Sequence, residues 1–124
     1  MRLLLDTSII VWVLADHPSL KMETKNTISD AKICYVSSIS LAEIEIKKSI
    51  GKLEITDDFI ANILESGFEP LQYRFEDAGL LGKLPFHHKD PFDRMLITQA
   101  ISNNITLLTS DQILKHNNLP VILN

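Results

Sequence analysis

The stretch Met1-Arg2-Leu3-Leu4-Leu5-Asp6-Thr7-Ser8 decides the fold. Three consecutive leucines without alternation describe a strand buried on both faces, as in the middle of a parallel sheet. A carboxylate follows at once, and Thr7-Ser8 then offers an N-cap for the apolar helical run Ile9 to Leu14. In open α/β sheets the ligand crevice lies at the carboxyl ends of the strands, above the helix N-termini. Asp6 therefore stands where chemistry is done. Helix capping is its simpler account.

Outward from this stretch, Asp16-His17-Pro18-Ser19 reads as a turn and Leu20 to Ala31 as a polar helix. Ile33 to Val36 is a second strand, and Ser37-Ser38 caps a helix from Ile39 to about Ile50 that Gly51 stops. Thr56-Asp57 opens a helix through Glu65, with Gly67 at its end, and Phe68 to Leu71 is a short strand. Tyr73 to Leu84 has a helical pattern weakened by Gly79 and Gly82 and ended by Pro85. Asp90-Pro91 opens a strong helix to about Asn103. Ile105 to Leu108 is a strand, Asp111 to Lys115 a short helix, and Val121 to Leu123 a last strand. Strands alternating with helices predict a three-layer α/β fold around a mostly parallel sheet.

A length of 124 residues predicts one domain over 1–124. The net charge of −4 argues against a generic nucleic-acid binder with a broadly basic face and leaves room for a local basic patch. Cys34 lies in the apolar run Ile33-Cys34-Tyr35-Val36, a buried thiol suited to a reducing compartment. Arg2 and the apolar stretch to Ala15 imitate a secretion signal. Asp6 interrupts that stretch, no small-x-small pattern follows it, and it is well short of the roughly 20 residues that span a bilayer. The expectation is a cytoplasmic protein with no membrane segment.

Four acids stand out by position. Asp6 and Asp111 end two apolar strands, while Glu43 and Asp93 lie in early turns of helices that follow such strands. At about 100° per residue Glu43 falls beside Ile39, Ile46 and Ile50 on the edge of an apolar stripe, and Glu45 falls toward water. An i,i+4 pair with Lys47 is the ordinary account of Glu43. Asp90-Pro91-Phe92-Asp93 is a well-formed helix start, and capping explains Asp90 without any function. Capping is also the ordinary account of Asp111. Together, however, these placements put four carboxylates at one end of one sheet. Such a group repels itself unless a cation joins it, and a hard divalent cation with oxygen ligands meets that need. A bound metal can hold a phosphodiester oxygen and acidify a water for hydrolysis. No Cys/His set has zinc spacing, and the adjacent His87 and His88 read as a solvated loop.

The blocks Leu5-Asp6-Thr7, Ile39-Ser40-Leu41-Ala42-Glu43-Ile44, His88-Lys89-Asp90-Pro91-Phe92-Asp93-Arg94-Met95-Leu96-Ile97 and Leu108-Thr109-Ser110-Asp111 resemble, in order and spacing, those of the PIN-domain ribonucleases, and within them the VapC-type toxins. The likeness spans nearly the whole chain, and the His-Lys-Asp-Pro-Phe-Asp-Arg block is its most specific part. It implies a PIN-like fold with a parallel sheet of about five strands, with Asp6, Glu43 and Asp93 as acidic metal-site residues and Asp111 as a fourth, more variable acid. Thr7, Thr109 and Asp90 would support them. It further implies Mg²⁺ or Mn²⁺, RNA cleavage as the toxin of a toxin–antitoxin pair, an antitoxin partner and a frequent homodimer. Glu45 departs from the pattern, where a small or apolar residue is more usual. Lys47, Lys89 and Arg94, with Lys83 beside them, are the cations available to an RNA backbone.

Three rival readings remain. A phosphatase of the haloacid-dehalogenase type wants a second Asp two residues after Asp6, and Ser8 stands there. A response-regulator receiver lacks its paired acids after the first strand. A non-catalytic PIN-like binding module has no need of four acids.

Overall fold

The computed structural model describes residues 1–84, 90–112 and 120–124. Strand β1 (Arg2–Leu5) is the centre of a sheet in which β2 (Ile33–Ser37) and β3 (Glu69–Leu71) lie to one side. Strands β4 (Thr106–Thr109) and β5 (Val121–Leu123) lie to the other, giving the order β3-β2-β1-β4-β5. All four pairings are parallel. Such a sheet must be covered on both faces. The triple leucine does this at the middle. Leu3 and Leu5 pack into a cluster with Ile9, Ile10, Val36, Ile44, Phe59 and Ile63. Leu4 joins Leu96, Ile97, Ala100, Ile105 and Leu107 on the opposite face.

The helices are α1 (Thr7–Ala15), α2 (Met22–Asp30), α3 (Ser38–Ser49), α4 (Phe59–Glu65), α5 (Phe75–Ala78) and α6 (Pro91–Asn103), with a 3₁₀ turn at Leu81–Lys83. Ser37 caps α3 by accepting the Ile39 N–H. Gly51, at φ 75°, closes it, with Gly51 N–H donating to the Lys48 carbonyl and Lys52 N–H to that of Lys47. This pairing needs a left-handed residue, which glycine supplies without strain. Asp90 caps α6 through the N–H groups of Phe92 and Asp93, with Pro91 in the first turn.

Three expectations change. The first helix starts at Thr7, so Asp6 takes the N-cap place and Thr7-Ser8 is inside the helix. The helix expected from Thr56 begins at Phe59. Tyr73 to Leu84 is not one helix: α5 ends at Ala78 and the chain resumes as the 3₁₀ turn, the two glycines having too little helix propensity to carry one through. Pro85, the His87-His88 loop, Lys89 and all but the first two residues of the helix expected over Asp111 to Lys115 lie outside the described residues. Among the described residues no helix is long and apolar enough to cross a membrane.

Candidate functional site

The chain runs from β1 to β3 on one side of the sheet and then returns to β4 beside β1, so the strand order reverses there. A crevice forms at the carboxyl ends of two such neighbours. Register fixes what stands in it. Leu5 pairs with Leu108, and the Asp6 N–H donates to the Leu108 carbonyl at 2.9 Å, bringing Asp6 level with Thr109. Thr109 is fully buried; its hydroxyl donates to Asp6 Oδ2 and accepts the Asp111 N–H at 3.0 Å. One threonine thus links the acids that follow β1 and β4.

From the other side α3 brings in Glu43, which is buried. Thr7 Oγ1 donates to Glu43 Oε1 at 2.8 Å and lies 3.1 Å from the buried Ser40 hydroxyl. Lys47 Nζ holds the other oxygen, Oε2, at 2.7 Å. The expected i,i+4 pair is therefore present, with its carboxylate inside the protein. Both Glu43 oxygens are engaged, one by a neutral donor and one by a cation.

These elements surround one cleft of about 270 Å³, with Asp6, Glu43, Asp90, Asp93 and Asp111 on its wall together with Lys47. Thr7, Ser8 and Ser110 add hydroxyl groups, and Val11, Trp12 and Leu53 form an apolar side. The structure thus brings together all four acids singled out in the sequence. Asp90 joins them while capping α6, its Oδ1 accepting from Phe92 at 2.9 Å and from Asp93 at 3.3 Å. Arg94 is turned elsewhere: its guanidinium donates to the Leu81 carbonyl at 3.0 Å. Glu45 is exposed, as its place on the helical wheel predicts.

Burial pushes the Asp6 carboxyl above its ordinary range, and the Glu43 charge adds to the effect. The Thr109 hydroxyl and the N–H groups of Thr7 and Ser8 work against it without cancelling it. Lys47 is held more firmly protonated, first by its hydrogen bond to Glu43 and further by the charges of Asp90 and Asp93. The cleft thus holds one carboxyl raised chiefly by its burial, and an ammonium held by the acids around it.

The donor set of carboxylate and hydroxyl oxygens suits Mg²⁺ or Mn²⁺ and not a soft metal. Among the described residues no three His, Cys, Asp or Glu side chains converge closely enough to form a ready-made ion site. Mg²⁺ commonly keeps several waters and takes one or two carboxylates directly, so a shared cleft without full convergence still fits it. Ser40 was not legible as a site residue, being one of several serines at the start of α3. It is fully buried, and its contact with the site is to Thr7, 33 residues earlier.

A parallel sheet with an acidic cleft at its switch point defines an open α/β protein whose ligand site lies at the carboxyl ends of its strands. Family comparison narrows this: the PIN domain family model matches residues 3–118, and the chain belongs to the PIN domain family. Comparison with curated protein sequences finds no match. Among solved structures, the fold is similar to that in VapBC2 from Rickettsia felis bound to a promoter DNA fragment. The identity is 22%, the TM-score 0.72, and the match covers 100% of this chain and 98% of that one. It is also similar to DNA-bound VapBC from Salmonella typhimurium (19% identity, TM-score 0.70, 98% and 97% covered). VapBC-1 from nontypeable Haemophilus influenzae is a third such structure (20% identity, TM-score 0.70, 99% and 98% covered).

Proposed function

We infer that the chain is an endoribonuclease of the VapC type, the toxin of a toxin–antitoxin pair, which hydrolyses RNA phosphodiester bonds with the help of Mg²⁺ or Mn²⁺. The observation that carries this reading is the single cleft shared by Asp6, Glu43, Asp93 and Asp111, contributed by separate parts of the fold. A divalent cation bound there would supply Lewis acidity and a water of lowered pKa. Asp6 and Glu43, the buried acids of the cleft, would hold it, with Asp93 and Asp111 also on its wall. Thr109 orients Asp6 and Thr7 orients Glu43, each by donating its hydroxyl proton. Carboxylates fixed in this way spend little freedom on meeting a cation, and supporting partners of that kind typically matter about 10–100-fold.

The substrate has to approach an anionic cleft, so nearby cations matter. Lys47 lines the cleft and is the cation best placed for an RNA phosphate. Lys89, outside the described residues, and Arg94, committed to Leu81, complete the set proposed from the sequence. The partner proposed is an antitoxin protein, as the similar VapBC structures suggest, together with a second copy of the chain in a homodimer. Large apolar side chains left exposed on α3, at its C-cap and on α4, namely Ile46, Ile50, Ile60 and Leu64, support a protein partner. The reaction is placed in the cytoplasm.

The test is cleavage of single-stranded and loop RNA by the purified chain. Activity is expected with Mg²⁺ or Mn²⁺ and none in excess chelator. Undiminished cleavage in chelator sinks the metal mechanism. Growth arrest on expression, relieved by Asp6→Asn, is expected of the toxin role.

A further inference from the structure

We propose that Lys47 is a tethered counter-ion that competes with the divalent cation for Glu43, and so sets how tightly the cleft binds metal. The inference rests on the metal-dependent reading above and deepens it. Its ammonium stands 2.7 Å from Glu43 Oε2, while Thr7 takes Oε1. Glu43 therefore has no carboxylate oxygen left without a strong donor. A cation that takes Oε2 as a ligand must displace the ammonium, since two positive charges on one oxygen repel at close range.

The two side chains are built for this exchange. Glu43 is fixed, with a side chain only 7% exposed, whereas Lys47 is 46% exposed and can leave. A lysine ammonium is a compact charge on a flexible stem, and water lies within its reach. Its neighbour Lys48 supplies an internal control. It forms a similar pair at 2.8 Å with Asp57, an acid fully open to solvent and absent from the cleft wall. The two lysines carry the same charge on the same helix turn. Only one faces the acids.

An ordinary helix-surface pair at i,i+4 predicts no link between Lys47 and metal affinity. The tethered counter-ion predicts a strong one. The experiment is a Mn²⁺ binding titration by calorimetry on the full chain, with melting curves to confirm that each variant is folded. Lys47→Met is expected to bind Mn²⁺ about tenfold more tightly than wild type, a close unit charge having been removed. Lys47→Arg, which keeps the charge, and Lys48→Met, which removes the neighbouring one, are expected to stay within about twofold of wild type. Unchanged or weaker binding in Lys47→Met overturns the proposal. Equal tightening in Lys48→Met overturns it too, by showing a general charge effect. Absence of Mn²⁺ binding in wild type and in all variants is a separate result, which removes the metal-dependent reading itself and this inference with it.

Discussion

Asp6 and Asp77 are both buried carboxylates, 5% and 0% exposed, and the protein treats them in opposite ways. Asp77 lies at the start of α5 among donors. The Arg74 N–H reaches its Oδ2 at 2.8 Å, while the Arg74 guanidinium and the Asn103 amide reach Oδ1 at 3.2 and 3.3 Å. Burial pushes its carboxyl up, but the Arg74 N–H, the Ser102 hydroxyl and the guanidinium outweigh that and hold it below its ordinary value. Asp6 has only hydroxyl and backbone donors set against its burial and, after that, the charge of Glu43, so its carboxyl is raised. A structural acid is satisfied by its own fold. A raised carboxyl in a cleft follows the pattern in which perturbed acids cluster at functional sites.

The largest expected effect separates the two by activity. Asp6→Asn should lower RNA cleavage by about a hundredfold or more, since even supporting groups at a metal site cost up to that much. Asp93→Asn should do the same, its carboxylate being assigned to the cation. Asp77→Asn should keep turnover near wild type wherever the variant is folded. Cleavage rates for the three variants in Mn²⁺ decide it. An active Asp6→Asn would remove the contrast altogether.

Stability should move in the opposite order. Asp77→Asn replaces an acceptor of charge-assisted hydrogen bonds and should cost about 1.5–3 kcal/mol. Asp6→Asn keeps an acceptor for Thr109 and removes a charge that the fold tolerates poorly, so without divalent cation it should raise the melting temperature at pH 7. Urea unfolding of both variants in chelator checks the signs. A destabilised Asp6→Asn would mean that its charge is met by the fold after all.

The pH dependence follows from the same two directions. Asp6, raised from 3.8, contributes stability that is fully present below that value and is lost as pH rises through its folded pKa. Asp77, lowered from 3.8, contributes stability present above that value and lost as pH falls through its folded pKa. The advantage of Asp6→Asn over wild type should therefore shrink between pH 7 and pH 4. The deficit of Asp77→Asn should persist over that range and shrink only below it. Unfolding curves at three pH values measure both.

The two acids also differ in how far the sequence reveals them. Asp6 follows a run of leucines that must be a central strand, so its place at a crevice was legible from eight residues. Glu43 and Asp111 were legible for the same local reason, lying in the helix after a strand or just beyond one, whereas Asp93 was marked by the helix start of α6, which α5 and the 3₁₀ turn separate from β3. Asp77 was not. Arg74 is a local partner, but Ser102 and Asn103 reach it from α6, and no local pattern announces contacts across that distance. The inner face of α3 was misjudged on similar grounds. Ile46 and Ile50, expected to flank Glu43 on an apolar stripe, are 49% and 59% exposed, while Ser40 is fully buried. Hydrophobic periodicity assumes a helix that faces an oily core. This one turns part of its inner face toward Thr7 and the cleft, and the period gives no sign of it.

Asp90 tests whether every acid on the cleft wall belongs with Asp6, and the effect expected is the smallest. Its Oδ1 accepts the N–H groups of Phe92 and Asp93, so the helix needs an acceptor there and not a charge. Asn supplies the same acceptor and ranks beside Asp at N-caps, whereas Ala costs about 1 kcal/mol. The lost charge removes some favourable interaction with the helix dipole, about 0.3–1 kcal/mol for an exposed group. It also relieves repulsion from Asp93 and Asp6 in the cleft, net of a lost attraction to Lys47. These two terms oppose each other, so Asp90→Asn should lie within about 0.5 kcal/mol of wild type and retain most activity, while Asp90→Ala should be distinctly less stable. Melting temperatures and cleavage rates for the pair provide the measurement. Should Asp90→Asn lose as much activity as Asp93→Asn, Asp90 is a charge-bearing member of the site, and its capping bonds serve to aim it.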